Sequence, residues 1–263
     1  MKELVQGLRH SMPRLGTRKL YHLLEADFRS EGLKVGRDKL FTILRHNGLL
    51  AARRRKCTLT TNSKHWLRKY DNLVKDVVLE RPEQVFVSDI TYIPTEQGYS
   101  YLSLITDACS KKIMGYALSE DLSTKGCLEA LEMALKNRST EAPLIHHSDR
   151  GYQYCSKEYV GLLSDHHIRI SMTTNGDPYQ NAIAERVNGI LKEEFYLSET
   201  LPNHSIAAKH VAQSIETYNT QRPHLSCGMM TPEATHKRTS FTPRSWKHKR
   251  GPHQTRVNPS TPI

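Results

Sequence analysis

The order of strands and helices between residues 85 and 220 limits the possible folds of this chain more than any other feature. Residues 85–93, 99–106 and 111–118 are rich in β-branched and aromatic side chains, which predicts three strands joined by tight turns. Helices and short strands then alternate. We predict helices at 124–137, 156–164, 179–196 and 205–220, and strands at 143–147 and 168–172. This order predicts an α/β fold with a mixed five-stranded sheet flanked by helices.

The first 56 residues differ in pattern and predict a small all-α domain. Leucines and phenylalanines recur at helical spacing in residues 17–28 and 37–46, after a first helical segment at 2–10. The cations that lie off the apolar faces or follow them are Arg37, Lys39, Arg45, Arg53, Arg54 and Arg55. This arrangement fits a helix-turn-helix that binds DNA, and it also fits a structural bundle with a solvated basic face.

Charge is distributed unevenly along the chain. Residues 1–70 carry 17 basic and 5 acidic residues, residues 71–235 carry 14 and 22, and residues 236–263 carry 7 and none. Basic ends suit a polyanion, whereas an acidic centre would repel it unless a divalent cation stood between carboxylate and phosphate. Tuning of solubility is the alternative explanation. We therefore divide the chain into a head at 1–56, a linker at 57–80, a core at 81–235 compatible with an RNase H-like domain, and a flexible basic tail at 236–263.

Composition excludes several classes of protein. No apolar stretch reaches the ~18 residues that a membrane helix needs, and the first ten residues do not resemble a signal peptide. Five scattered cysteines form no Cys-x-x-Cys pair, which argues against a disulfide framework or a zinc knuckle. We expect a cytoplasmic, nucleoid-associated protein without a membrane partner.

Three acidic residues stand out, and each has an ordinary explanation when taken alone. Asp89 interrupts a strand that otherwise reads as buried, where a carboxylate needs a salt bridge, a proton or a metal ion. Asp149 ends a buried strand just before a glycine, at the edge where α/β proteins bind ligands, or it caps the turn. Glu185 lies two turns into a helix, near the edge of the apolar face, where most glutamates are merely solvated. If these residues converge, their oxygens suit two Mg²⁺ or Mn²⁺ ions.

Spacing and motifs identify a resemblance. Thirty-five residues separate Asp149 from Glu185, and Lys192 follows two helical turns later. This spacing resembles the acidic (DDE) triad of retroviral integrases and bacterial transposases. Over nearly the whole chain to about residue 235, the sequence resembles the second-frame protein (OrfB) of the IS-three family of insertion sequences. The segments that carry the resemblance are 16–20, 60–65, 88–93, 147–154, 176–185, 218–219 and 222–224.

The resemblance implies an RNase H-like fold, a helix-turn-helix head, and a triad of Asp89, Asp149 and Glu185 that binds two metal ions. It also implies cutting and joining of double-stranded DNA at transposon ends and target, circle formation, and insertion. We expect a homo-oligomer on DNA and a first-frame partner or fusion (OrfA). An RNase H-like nuclease without strand transfer and a DNA-binding regulator are the rival hypotheses.

Five further residues are candidates for weaker supporting roles. Each has a structural alternative that the sequence leaves open: a surface lysine, a hydrogen-bonded strand histidine, a loop or cap asparagine, and a lock of the C-terminal corner. These residues are His147, Asn181, Lys192, Arg222 and His224.

Overall fold

The computed structural model describes residues 1–51, 65–174, 178–241 and 244–245. Its helices and strands follow the predicted order. The helices are α1 (Lys2–Ser11), α2 (Thr17–Ser30), α3 (Arg37–His46), α4 (Thr124–Lys136), α5 (Tyr152–Cys155), α6 (Lys157–Asp165), α7 (Ala182–Glu194), α8 (His204–Thr220) and α9 (Pro232–His236). The strands are β1 (Val78–Leu79), β2 (Val85–Thr95), β3 (Gly98–Asp107), β4 (Ile113–Ser119), β5 (Ile145–Ser148), β6 (Arg169–Met172) and β7 (Arg244–Ser245).

A mixed five-stranded sheet forms the centre, with the order β4-β3-β2-β5-β6. The hairpin pairs β2–β3 and β3–β4 are antiparallel, and β2–β5 and β5–β6 are parallel. The parallel pairs require crossover connections, and α4 and α6 supply them. This architecture confirms the predicted fold class, and Phe86 is a fully buried residue of its core.

Two apolar clusters show that helices cover the sheet. One contains side chains of α4, α5 and α6 with Phe86, Ile105 and Met114 of the strands. The other joins side chains of α7 and α8 to Ile93 and Leu102, and it also contains buried side chains of α1, α2 and α3. The N-terminal helices therefore share a hydrophobic core with α7 and α8.

The structure differs from the predicted boundaries on both sides of the core. Within the predicted linker at 57–80, residues 65–80 pack on the core, with Val74 and Leu79 buried and β1 formed at their end. In the predicted tail, β7 pairs with β1 through Val78↔Ser245 and Leu79↔Arg244. The sequence analysis missed both because a two-residue strand has no detectable periodicity. The rest of the linker and of the tail lies outside the described residues.

No helix in the described parts of the chain is both long and apolar enough to cross a membrane.

Candidate active site

Asp89 and Asp149 lie in one open cavity of about 300 Å³. Strand register explains why they meet. Val87 of β2 pairs with His147 of β5 in a parallel ladder. Each aspartate follows its paired residue by two positions, and side chains two apart point to the same face of a sheet. The Asp89 carboxylate on β2 and the Asp149 carboxylate directly after β5 therefore lie close together.

The Asp89 carboxylate is held in place and disfavoured as a charge. Its Oδ2 accepts a hydrogen bond of 2.7 Å from Asn188 Nδ2, and its Oδ1 accepts one of 3.0 Å from its neighbour Ile90 N. Burial raises the pKa of Asp89 to about 7, with a further contribution from the nearby charge of Asp149 and a smaller one from Glu185. Two like charges at one place are the arrangement that a cation relieves.

Asp149 is fixed by the turn that follows it. Its Oδ1 accepts a hydrogen bond of 2.9 Å from Gly151 N. A Cβ atom at position 151 would lie 3.0 Å from that same oxygen, which is tighter than ordinary contact. Glycine at this position thus lets the backbone approach the carboxylate closely.

Glu185 lies at the edge of the site. It is exposed in the first turn of α7, and its charge helps to raise the pKa of Asp89. Asn188, one turn later on the same side of α7, makes the direct contact with Asp89. In the described parts of the chain, no group of three or more His, Cys, Asp or Glu side chains is arranged to hold a metal ion. The structure brings two of the three predicted acids together and sets the third beside them.

Asn181 and His147 anchor the start of α7. Asn181 is the N-cap residue of α7, but its side chain makes no capping hydrogen bond to that helix. Its Nδ2 instead donates a hydrogen bond of 2.9 Å to Ser88 O. His147 is fully buried and shares hydrogen bonds with Ser171 Oγ (2.8 Å) and with Gln180 O (3.1 Å). Both residues therefore tie the entrance of the Glu185 helix to the strands that carry the aspartates.

Arg222 and His224 lie in the protein interior. Arg222 is 1% exposed, and its guanidinium grips Glu194 with two hydrogen bonds of 2.9 and 2.7 Å. His224 is 9% exposed and shares a hydrogen bond with Ser226; burial, followed by the charge of Arg222, lowers its pKa to about 3. Of the two predicted roles, this burial fits the lock of the C-terminal corner, since neither side chain is open to DNA.

The remaining predicted residues are placed as follows. Lys192 is half-buried on α7, two turns after Glu185, and its DNA-contacting role stays a prediction. Arg37, Lys39 and Arg45 are exposed on α3, and Arg37 pairs with Asp38 at 2.8 Å. Arg53, Arg54 and Arg55 lie outside the described residues.

Two residues of α7, Asn188 and Glu194, make contacts that were not predicted from the sequence. Asn188 is spaced three residues from Glu185, and helical geometry alone marks that position as a neighbour on the same face. Glu194, at the end of α7, binds Arg222 and also Lys19 of the head at 3.0 Å. Its partners are 28 and 175 residues away in sequence, so no local pattern reveals it.

Comparisons with known proteins identify the family of this chain. Residues 80–178 and 166–232 each match a family described as Integrase core domain. The Insertion element IS600 uncharacterized 31 kDa protein of Shigella sonnei is 36% identical, over 83% of this chain and 80% of its own length. Transposase InsF for insertion sequence IS3A of Escherichia coli is 34% identical, over 80% of this chain and 74% of its own.

One solved structure supports the fold. A chain of the simian T-cell lymphotropic virus intasome, solved in complex with PP2A regulatory subunit B56 gamma, aligns with a TM-score of 0.53. It is 17% identical and covers 94% of this chain and 81% of that one. At this identity the likeness extends to the fold alone.

Proposed function

The chain belongs to the IS3-type insertion-sequence transposases with an integrase core domain, and from this premise we propose that Asp89, Asp149 and Glu185 form its catalytic centre. The protein is a DNA transposase, a polynucleotidyl transferase by family. The observation that carries the proposal is the register of β2 and β5, which aligns two aspartates in one cavity. The charge of Glu185 acts on Asp89 from the adjoining helix.

The donor groups of the cavity suit divalent metal. Asp89 and Asp149 offer hard carboxylate oxygens, the ligands that Mg²⁺ and Mn²⁺ prefer. The pKa of Asp89, raised to about 7 by burial and by Asp149, indicates that the cavity lacks compensating positive charge. We propose that Asp89, Asp149 and Glu185 hold two Mg²⁺ or Mn²⁺ ions. When bound, such ions supply the charge that activates an attacking oxygen and stabilises a leaving one.

One site serves two displacements in this proposal. Water first attacks a phosphodiester at the transposon end, which breaks one strand and frees a 3′-hydroxyl. That hydroxyl then attacks a second phosphodiester, forming a new bond while the oxygen opposite leaves. Asn188 holds the Asp89 carboxylate in orientation throughout, and Asn181 and His147 keep α7 against the strands.

We also propose the assembly that this reaction needs. Two transposon ends must meet, so the active form is a homo-oligomer on double-stranded DNA. The exposed cations Arg37, Lys39 and Arg45 of α3 contact DNA phosphates in the head. A first-frame protein (OrfA), separate or fused, supplies end recognition.

Strand transfer tests the proposal. A labelled, pre-cut end should become joined to a target plasmid in Mg²⁺, and Asp89→Asn, Asp149→Asn and Glu185→Gln should each lower the rate at least about a thousandfold. Glu193→Gln is the matched control, because Glu193 is exposed on the same helix and faces no part of the cavity lining. Cutting without joining would favour the nuclease. Joining that survives in Glu185→Gln would remove Glu185 from the centre.

A further inference from the structure

Aromatic rings line the cavity that holds Asp89 and Asp149, and further rings contact one of them. On the β3 side of β2, Tyr92 of the cavity lining contacts Tyr99 edge-on at 5.9 Å and Tyr101 at 5.1 Å between ring centres. On the β5 side, His65 and Tyr152 both line the cavity and meet edge-on at 6.0 Å. We call these five residues the aromatic rim.

Two members of the rim are open to solvent. Tyr99 is 60% exposed and Tyr152 is 54% exposed. Large aromatic side chains usually lie buried or half-buried, so an exposed ring that lines the cavity (Tyr152) and another that contacts a lining ring (Tyr99) are informative. Tyr99 contacts Tyr92 edge-to-face, and Tyr152 contacts His65 in the same way, so each exposed ring has an aromatic neighbour.

The cavity lining is poor in positive charge. Among the described residues that line it, none is a lysine or an arginine, and two are aspartates. The described lining therefore offers no cationic side chain for the phosphate contacts that dominate most DNA binding. It does offer the carboxylates of Asp89 and Asp149, which in the proposed function act on the phosphate, and the aromatic rings.

Rings bind nucleic acid by stacking on the flat faces of bases. Inside a duplex those faces are covered by neighbouring base pairs, so stacking on protein rings selects unpaired bases. We propose that the aromatic rim binds unpaired bases of a DNA end, beside the phosphate that reacts at Asp89 and Asp149. This inference rests on the proposed function for the position of the phosphate. It adds a base-binding subsite for single-stranded DNA of any sequence.

A binding cycle tests the subsite without turnover. The full-length chain with Asp149→Asn, in Mg²⁺, is titrated with a short duplex that ends in an overhang of three thymines, and with the same duplex whose overhang is abasic. The abasic version keeps the sugar–phosphate charge and loses only the bases. We expect the thymine overhang to bind about tenfold or more tightly, because stacking on an aromatic side chain is sequence-tolerant.

The ring variants complete the cycle. Tyr99→Leu combined with Tyr152→Leu should abolish the preference for thymine over abasic overhang, while Tyr99→Phe combined with Tyr152→Phe should keep it. Both positions are exposed, so we expect the leucine variant to retain its melting temperature, and the phenylalanine variant shows whether the ring alone suffices. Equal affinity for the two overhangs, or a preference that persists in the leucine variant, would overturn the proposal.

A rate measurement separates this inference from the proposed function. With Asp149 restored and protein in excess, the leucine variant should join a fully paired end about tenfold more slowly than the wild type. An end whose last base pairs are mismatched should recover most of the rate, because unpairing no longer depends on the rim. An equal deficit on both ends would contradict the inference. A wild type that joins neither end would instead overturn the proposed function and leave the binding cycle standing.

Discussion

The Asp89 carboxylate shows how one residue combines a cost in stability with a use. It stands in a strand beside Asp149, with its pKa raised to about 7 from 3.8, chiefly by burial. Because the folded chain holds this proton more tightly than the unfolded chain, Asp89 reduces stability progressively as pH rises from about 4 to about 7. A cation at the carboxylates would offset the penalty.

This sign gives a testable pH dependence. In EDTA, the free energy of unfolding of the wild type minus that of Asp89→Asn should fall by on the order of 2 kcal/mol between pH 4 and pH 7. We expect a smaller change in the free energy of unfolding than a rise of the Asp89 pKa from 3.8 to about 7 implies, because one side of the carboxyl faces the open cavity. Urea titrations across this range measure it, and the difference between the two proteins cancels groups that titrate alike in both. At pH 7, addition of Mg²⁺ should raise the free energy of unfolding of the wild type relative to that of Asp89→Asn. If the difference between the two proteins does not depend on pH, the pKa of Asp89 is not raised in the folded chain.

Asn188 offers a second test at the same scale. Its Nδ2 fixes Asp89, while its Oδ1 is buried without a hydrogen-bond partner in the described structure. Asn188→Ala should therefore slow strand transfer about 10–100-fold, as losses of residues that orient metal ligands do, at little cost in stability. It should also raise the Mg²⁺ concentration needed for half-maximal rate. Gly189→Ala is the control, since a Cβ there meets no atom within 4 Å; an unchanged Mg²⁺ requirement would argue against an orienting role.

Residue identity marked some of these residues as candidates and left others open for a physical reason. Asp89 and Asp149 stood out because a carboxylate in a buried strand, or directly after one, is anomalous. Arg222 was ambiguous because a cation in a loop has the same sequence pattern whether it faces DNA or a buried carboxylate. Its contact with Glu194, 28 residues away, is information that only the fold supplies.

At the scale of elements, periodicity predicted the strands and long helices but not their register. Runs of β-branched, aromatic and apolar residues located β2 and β5, and the pairing of Val87 with His147 then set Asp89 beside Asp149. The 3₁₀ turn at Pro178–Asn181 before α7 was absorbed into one long predicted helix, because its composition continues the helical pattern. Short elements such as α9 carry too few residues for a periodic signal.

The contact between β4 and α4 provides an element-scale prediction. A Cβ atom at Gly115 would lie 2.0 Å from Ala130 O and 2.6 Å from Ala134 N, both backbone atoms of α4. Gly115→Ala must therefore push the helix off the sheet, and we expect a loss of about 3 kcal/mol in the free energy of unfolding. Gly161→Ala, in α6 with open space around it, should instead stabilise by about 0.5–1 kcal/mol. Urea denaturation compares the two, and a Gly115→Ala protein as stable as wild type would refute the close approach.

For the whole molecule, the decisive feature is that the N-terminal helices and the core are joined at α7, the helix that carries Glu185. The buried side chains of α1, α2 and α3 share a hydrophobic cluster with those of α7 and α8. At its polar edge, Glu194 of α7 binds Lys19 of α2 and Arg222 after α8, and Arg14 N donates to Glu194 O at 3.1 Å. The helix that begins near Glu185 thus ends in contacts with Lys19 and Arg14 of the N-terminal segment.

Charge balance within this contact predicts an order of stabilities. Lys19 and Arg222 are buried, and Glu194 is the one acid that these two cations contact in the described ion pairs. Burial alone would raise the pKa of Glu194, but Arg222 and Lys19 lower it below its usual value. Burial lowers the pKa of Lys19. Lys19→Met leaves a balanced Arg222–Glu194 pair and keeps the apolar stem, so we expect a change within about 1 kcal/mol. Glu194→Gln leaves two buried cations together and should cost about 3–5 kcal/mol.

Urea unfolding of the two variants at neutral pH measures this order, with Glu193→Gln on the exposed side of the same helix as the control. If the Lys19–Glu194 contact also positions α7, the helix that carries Glu185, then Lys19→Met should slow strand transfer more than its small change in stability explains. A Lys19→Met protein less stable than Glu194→Gln would show that the head is held by Lys19 itself. The core would then depend on the N-terminal helices for more than the neutralisation of one carboxylate.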